Sequence, residues 1–255
     1  MPYQRLQNAL QRINASMRPP LRSILSWLAS LAVPVALIGL AVRIVLLPFF
    51  LQLEYRVPGF PPDDYGFTTQ ERLHWAGYAW NYLVNSAGAS YLGDLRFDDG
   101  SPVFNEREVS HMHDVKGVIT GTFRAWYASL AVLALIGLWA WRTGRGEGFR
   151  RGLSRGGWLT IGLAGLIGAI VLVGMLADPN VFWNFFAWFH SLFFTGETWL
   201  FEYSDTLIRL FPIRFWEDTF LAAAVIVLAG GLALAFGLRT RPGRAPEPLE
   251  EAGAG

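Results

Sequence analysis

Cysteine is absent from the 255 residues, which excludes disulfide bonds, thiolate metal sites and a cysteine nucleophile. Charge is also scarce, because only 16% of the residues are charged, against about 25% in a soluble domain. The 21 basic and 20 acidic side chains nearly cancel, so we expect no nucleic-acid partner. Hydrophobic residues make up 53%, and the mean hydropathy is +0.31. These values disfavour a soluble domain, exclude a disordered chain and indicate a membrane protein.

Long apolar runs predict four transmembrane helices, since about 20 helical residues cross a bilayer core of about 30 Å. The first run contains one charge, Arg43, whose side chain either extends to the outer headgroups or faces the bundle interior. This run is too long and begins too late for a cleaved signal peptide. The four predicted spans are 23–53, 117–141, 156–177 and 219–238.

The charges are divided unequally between the two ends of these spans. The N-terminal segment 1–22, the basic loop 142–155 and the tail 239–255 carry 12 basic and 4 acidic residues. Residues 54–124 and 178–218 carry 8 basic and 16 acidic residues. The positive-inside rule therefore places both termini in the cytoplasm. The tail is rich in Pro, Gly, Ala and Glu and is predicted to be disordered.

The two remaining loops are long enough to fold. We predict an all-α membrane protein of four transmembrane helices with an extracellular cap, which consists of residues 54–116 and 178–218. Within the first loop, Thr68 or Thr69 is predicted to cap a helix that carries Glu71 in its first turn. Residues from 105 onward are predicted to extend the second span outward.

The second loop opens with Asn180–Gly196, 17 uncharged residues that could form a fifth span. Only two residues separate this stretch from the third span, too few for a turn between two full crossings. A fifth crossing would also place the basic tail outside. We therefore predict an interfacial or re-entrant helix at the outer leaflet.

All four histidines fall in the predicted cap. His190 lies in a stretch in which 8 of 13 residues are aromatic, so it is either functional or interfacial with its tip among the headgroups. His111, His113 and Asp114 suggest a metal site, but residues i and i+2 point to different sides of a helix. We therefore predict no metal. His74 is expected to be a surface residue.

Familiar catalytic signatures are missing from the chain. It has no nucleophile elbow, phosphate-binding loop, dinucleotide fingerprint or metalloprotease motif, and we expect no cofactor. Transport is disfavoured, because the chain has no internal repeat and almost no polar residues within the spans. One alternative is a non-enzymatic scaffold or lipid- or partner-binding protein that is anchored by its aromatic residues. Another is an outward-facing phospholipid hydrolase.

Three stretches, Phe104–Lys116, Phe189–Phe194 and Trp199–Pro212, resemble one bacterial family. The first contains Glu-x-x-His-Met-x-Asp-Val-Lys, and the second reads Phe-His-x-x-Phe-Phe. The third contains Trp-Leu-Phe and Asp-Thr-Leu-Ile. The family is that of the integral membrane proteins that include the lipoprotein intramolecular transacylase.

This resemblance implies four transmembrane helices, an extracellular cap and two catalytic histidines at the cap–membrane interface, His111 and His190. It implies transfer of the sn-2 acyl chain of a diacylglyceryl lipoprotein to the α-amino group of its N-terminal cysteine. The reaction would need no cofactor and would take place at the outer leaflet of the bacterial cell membrane. The implied partners are diacylglyceryl lipoproteins and membrane lipid, and we expect a monomer. The residues expected to contact the substrate are Met112, Asp114, Phe186, Phe189, Phe193, Phe194, Trp199, Phe201, Asp205 and Arg209.

Overall fold

The computed structural model describes residues 19–178, 180–196 and 198–238. Helices and connecting turns account for these residues, and none of them belongs to a β-sheet. The helices are α1 (Pro19–Val45), α2 (Pro48–Glu54), α3 (Thr69–Tyr82), α4 (Ser90–Gly93), α5 (Glu106–Arg142), α6 (Gly146–Ala177), α7 (Val181–Ser191), α8 (Thr206–Leu210) and α9 (Ile213–Gly237). The predicted disordered tail and most of the N-terminal segment lie outside the described residues.

Four helices are long and apolar enough to cross a membrane, which confirms the predicted fold class. Their membrane-compatible parts are Ser23–Val45, Glu106–Arg142, Gly146–Gly174 and Ile213–Gly237. Helix α6 packs against both α1 and α9, and α1 also packs against α5. The four helices therefore form one bundle.

Prolines set two helix boundaries that differ from the predicted spans. The first predicted span is divided, because α1 ends at Val45 and α2 begins at Pro48. Proline lacks an N–H and suits the first turn of a new helix rather than the interior of an old one. The last helix begins at Ile213, six residues before the predicted span, directly after its N-cap Pro212. Arg43 is exposed on the last turn of α1, so it faces away from the bundle interior.

The segment predicted as a basic loop, 142–155, is largely helical, because α6 already begins at Gly146. Arginine is a good helix former, so a run of arginines does not end a helix. The first turns of α6 pack closely on α1. The Ser30 hydroxyl donates to the Gly152 carbonyl at 2.9 Å, and a methyl group on Gly156 would lie 2.8 Å from the Ser30 carbonyl oxygen. This close approach is typical of small residues spaced four apart in membrane helices.

Buried and exposed apolar residues are distributed as expected for a protein that contacts both lipid and water. The bundle helices expose large apolar side chains such as Leu135, Leu166 and Ile170, as required at a lipid-facing surface. A connected cluster of buried apolar residues lies in the cap, together with α2 and the first turns of α9, whereas the bundle buries residues such as Ala29 and Val33. The largest members of this cluster include Tyr82, Leu92, Leu210 and Phe215. The cap is therefore a folded unit with a core of its own.

Polar contacts join the parts of the cap. Thr68 caps α3, one of the two threonines that the sequence offers for this role, and it forms a capping box with Glu71. The Tyr55 hydroxyl donates to the Leu210 carbonyl at 2.5 Å and ties α2 to α8.

The aromatic stretch after α6 forms the short helix α7 and not a fifth span. Its 11 residues give a length of about 16 Å, too short for a bilayer core of about 30 Å.

Candidate active site

The start of α5 is fixed by a second capping box. Asn105 accepts from the Glu108 N–H, and Glu108 Oε2 accepts from the Asn105 N–H at 2.7 Å. The other carboxylate oxygen of Glu108 accepts from the Leu207 N–H at 2.6 Å, although Leu207 is 99 residues further along the chain. Glu108 is almost fully buried. It therefore holds α8 against the first turn of α5, one turn before His111.

Helix α7 orients the second histidine. Nδ1 of His190 lies 2.8 Å from the Phe186 carbonyl oxygen, one helical turn earlier. A carbonyl oxygen only accepts hydrogen bonds, so Nδ1 must carry the hydrogen and donate it. In the neutral imidazole, the lone pair is then on Nε2. This contact therefore fixes the tautomer in which Nε2 is the proton acceptor of the His190 ring.

The structure brings His111 and His190 together from different segments of the cap. Their ring centroids lie 6.2 Å apart, and the ring planes differ by only 21°. His111 is 9% exposed, and its Nδ1 has no hydrogen-bond partner within the described part of the chain. His190 is half-buried. The pair is largely shielded from water, and His190 is the more exposed of the two.

Aromatic rings from three segments surround this pair. Phe194 and Phe201 lie 4.9 Å and 5.3 Å from the His111 ring. Phe186 and Trp199 lie 4.0 Å and 4.8 Å from the His190 ring. The predicted site residues Phe186, Phe194, Trp199 and Phe201 thus form the walls of the histidine site. We call His111, His190 and these four rings the histidine pocket.

Burial lowers the pKa of His190 below its ordinary value of 6.5, and the hydrogen bond to the Phe186 carbonyl opposes part of this effect. The imidazole is therefore neutral at pH 7. A neutral, partly desolvated histidine can accept a proton at that pH, as general-base catalysis requires.

The other predicted aromatic residues lie further from the pair. Phe189 contacts Phe193 and Phe220, with centroid distances of 5.1 Å and 5.2 Å. Its ring centroid lies 6.0 Å from that of His190. Met112 is buried in the cap core, and Asp114 is exposed. These residues therefore lie outside the aromatic walls of the histidine pocket.

Asp205 and Arg209 were expected to contact substrate, but the structure places both in contacts within the cap. Asp205 accepts from Asn105 at 3.0 Å and from Arg107 at 2.9 Å. Arg209 forms an ion pair of 2.9 Å with Asp63, which is only 2% exposed. Burial raises the pKa of Asp63, but the hydrogen bonds from Arg209 and from the backbone outweigh it, so this pKa lies below its usual range. Both residues therefore hold the cap together.

Sequence reasoning did not single out Asn105, Arg107 or Glu108 as residues of the site. The Asn-x-x-Glu spacing before an apolar run is a capping-box signature and would have identified two of them. The guanidinium of Arg107 lies 5.4 Å from the Phe201 ring centroid, and no sequence pattern predicts this contact.

The other two histidines are not part of the pocket. His74 is exposed beside Trp75 and Tyr78. His113 is exposed and lines a separate open cleft of about 740 Å³ with Arg96 and Ser110. Within the described ranges, no three His, Asp or Glu side chains lie close enough together to hold a metal ion.

Comparisons with known proteins agree with this architecture. Residues 27–216 match the model of a family described as lipoprotein intramolecular transacylase Lit. An uncharacterised protein of Aquifex aeolicus (strain VF5) is 28% identical over 218 residues, which are 85% of this chain and 94% of that protein.

Solved structures show the same fold. The membrane-integral lipoprotein intramolecular transacylase Lit from Bacillus cereus matches with a TM-score of 0.69 at 20% identity, over 85% of this chain and 94% of that chain. A variant of that protein with one histidine replaced by arginine matches with a TM-score of 0.61, also at 20% identity, over 89% of this chain and 95% of that chain. Because the family model covers most of the sequence, the chain belongs to the lipoprotein intramolecular transacylase Lit family.

Proposed function

We propose that this protein transfers the sn-2 acyl chain of a diacylglyceryl lipoprotein to the α-amino group of its N-terminal cysteine. One observation carries the proposal: His111 and His190, from separate segments of the cap, face each other at 6.2 Å within aromatic walls. Family membership supports the same class of reaction. The proposed product is a lyso-form lipoprotein with a free glyceryl hydroxyl.

The proposed reaction exchanges an ester for an amide without water. The cysteine nitrogen attacks the ester carbonyl carbon, and Nε2 of His190 removes a proton from that nitrogen. Collapse of the tetrahedral intermediate breaks the bond to the glyceryl oxygen, which takes up the proton. His111 is proposed to donate a hydrogen bond to the oxyanion or to the leaving oxygen. An amide is more stable than an ester, so no nucleotide or other cofactor is required.

The aromatic walls serve two purposes in this mechanism. They limit the access of water, which would otherwise hydrolyse the ester and release a fatty acid. They also hold the ester and the amine of one molecule close together, which lowers the entropic cost of forming a large cyclic transition state.

Mass spectrometry of lipoprotein N-termini tests the proposal directly. A bacterium without its own N-acylating enzymes should gain lipoproteins with one N-acyl and one O-acyl chain when it expresses this protein. Equal total acyl content before and after expression indicates transfer. Loss of one acyl chain without N-acylation would indicate a hydrolase, and unchanged N-termini would contradict an enzymatic role on lipoproteins.

The rate should depend on pH in a way that reflects His190. Its pKa lies below 6.5, and a protonated imidazole has no lone pair with which to accept a proton. The substrate ammonium, with a pKa of about 8, gives log(kcat/KM) a slope of about one toward acid pH, and protonation of His190 should raise it to about two below pH 6.5. Initial rates on a synthetic diacylglyceryl peptide measure this profile. A slope of two that begins above pH 6.5 would contradict the lowered pKa of His190, and a slope of one throughout the acid range would contradict its role as the base.

The topology predicted from charge places both termini in the cytoplasm and the histidine pocket at the outer leaflet. Reporter fusions at 90–105 and 203–218 should be outside, and a fusion near Gly148 should be inside. An extracellular C-terminus would contradict this arrangement and the position of all four histidines.

A further inference from the structure

A second cleft lies at the end of the bundle opposite the cap. It has a volume of about 450 Å³ and lies between the start of α1, the end of α5 and the start of α6. From His111 to Trp139, which lines this cleft, α5 rises about 42 Å. The cleft is therefore separate from the histidine pocket. The charged residues that line it are Arg145, Glu147, Arg151 and Arg155.

The electrostatics of this cleft favour an anion. Among the described residues that line it are three arginines and one carboxylate, that of Glu147. The N-terminus of α6, which begins at Gly146 and carries partial positive charge, opens at the same place. An anion in the cleft would be attracted both by the arginines and by the helix N-terminus.

Tryptophans show that the cleft lies at headgroup depth. The Arg145 guanidinium lies 5.1 Å from the Trp139 ring centroid, and that of Arg155 lies 5.7 Å from the Trp27 ring centroid. Trp141, two residues further along α5 than Trp139, is 77% exposed. Tryptophan gathers at membrane–water interfaces, so these rings indicate that the cleft opens where phospholipid headgroups lie.

We propose that this cleft binds the phosphate headgroup of an anionic phospholipid. Arg151 and Arg155 pair with the phosphate, and the Ser23 and Ser26 side chains complete the polar lining. The acyl chains lie along the apolar surface of the bundle. This site is independent of the reaction proposed above.

The test measures lipid binding to the purified full-length protein by native mass spectrometry, with phosphatidylglycerol and phosphatidylcholine of equal chain length. We expect preferential retention of phosphatidylglycerol. The double variant Arg151→Gln/Arg155→Gln should weaken its binding about 30-fold, because each arginine near an anionic headgroup contributes about a fivefold factor. The matched control Arg142→Gln/Arg150→Gln removes the same charge from exposed positions outside the cleft and should leave binding unchanged.

Equal weakening by both double variants would show general attraction to basic residues and would overturn the proposal. Binding of inorganic phosphate alone as tightly as the lipid would overturn the assignment to a headgroup. If the cleft variant fails to fold, Glu147→Gln provides the second test. Removing the negative charge of Glu147 should tighten phosphatidylglycerol binding about fivefold, and unchanged or weaker binding would contradict the site.

Discussion

Replacing His111 or His190 with alanine should abolish formation of lyso-form lipoprotein while the protein still inserts and accumulates. Loss of one general acid or base costs about 10²–10⁴ in rate. The two imidazoles lie 6.2 Å apart and would act on the same proton transfers, so their effects should not add. We expect the double variant to be as inactive as either single variant. Mass spectrometry of lipoprotein N-termini, with immunodetection of the membrane-bound protein, measures both outcomes.

The other two histidines provide matched controls. His74 and His113 are both exposed and lie outside the aromatic walls of the histidine pocket. His74→Ala and His113→Ala should therefore retain substantial activity. An active His190→Ala variant, or a His113→Ala variant as inactive as His111→Ala, would contradict the proposed site.

Replacing Glu108 with alanine should produce the largest loss of stability in the cap. Its carboxylate accepts from the backbone N–H groups of Asn105 and Leu207, at 2.7 Å and 2.6 Å, and the residue is 1% exposed. Each buried N–H left without a partner costs about 1–3 kcal/mol. We expect Glu108→Ala to lower the midpoint of thermal unfolding and to displace α8 from the first turn of α5, with loss of activity.

Glu106→Ala is the control for this substitution. Glu106 lies in the same first turn and is also acidic, but it is exposed. Its removal should cost only the modest interaction of a carboxylate with the helix dipole, about 0.3–1 kcal/mol. Glu108→Gln keeps the shape and one acceptor oxygen and should fall between the two. Equal unfolding midpoints for Glu106→Ala and Glu108→Ala would show that the buried carboxylate does not hold the two segments together.

Local signals in the sequence predicted much of this architecture. Apolar runs identified the four long helices, and Thr68 with Glu71 marked the start of α3 because capping depends only on residues three apart. The histidines were selected by resemblance to a family, since neither spacing nor composition brings residues 79 positions apart together. The structure supplied their proximity and the tautomer of His190.

Contacts between residues far apart in the sequence could not be predicted from the sequence. Asp63 and Arg209 are 146 residues apart, and nothing in the surroundings of either residue indicates the other. Arg209 was therefore predicted to contact the substrate, whereas its guanidinium pairs with Asp63 in the structure. The prediction of a loop over residues 142–155 was wrong for a different reason. The arginines before the third span indicated a polar loop, but polarity decides exposure and not helix formation.

The position of the large apolar cluster in the cap means that two different forces hold this protein together. The cap, with its core around Tyr82 and Phe215, is stabilised by exclusion of water, and urea weakens such burial. The bundle is stabilised by close helix contacts such as that of Gly156 with Ser30, within a lipid environment in which water takes no part. Unfolding is therefore not a single two-state transition. Because both histidines belong to the cap, denaturant would dismantle the site while the membrane-embedded helices remained intact.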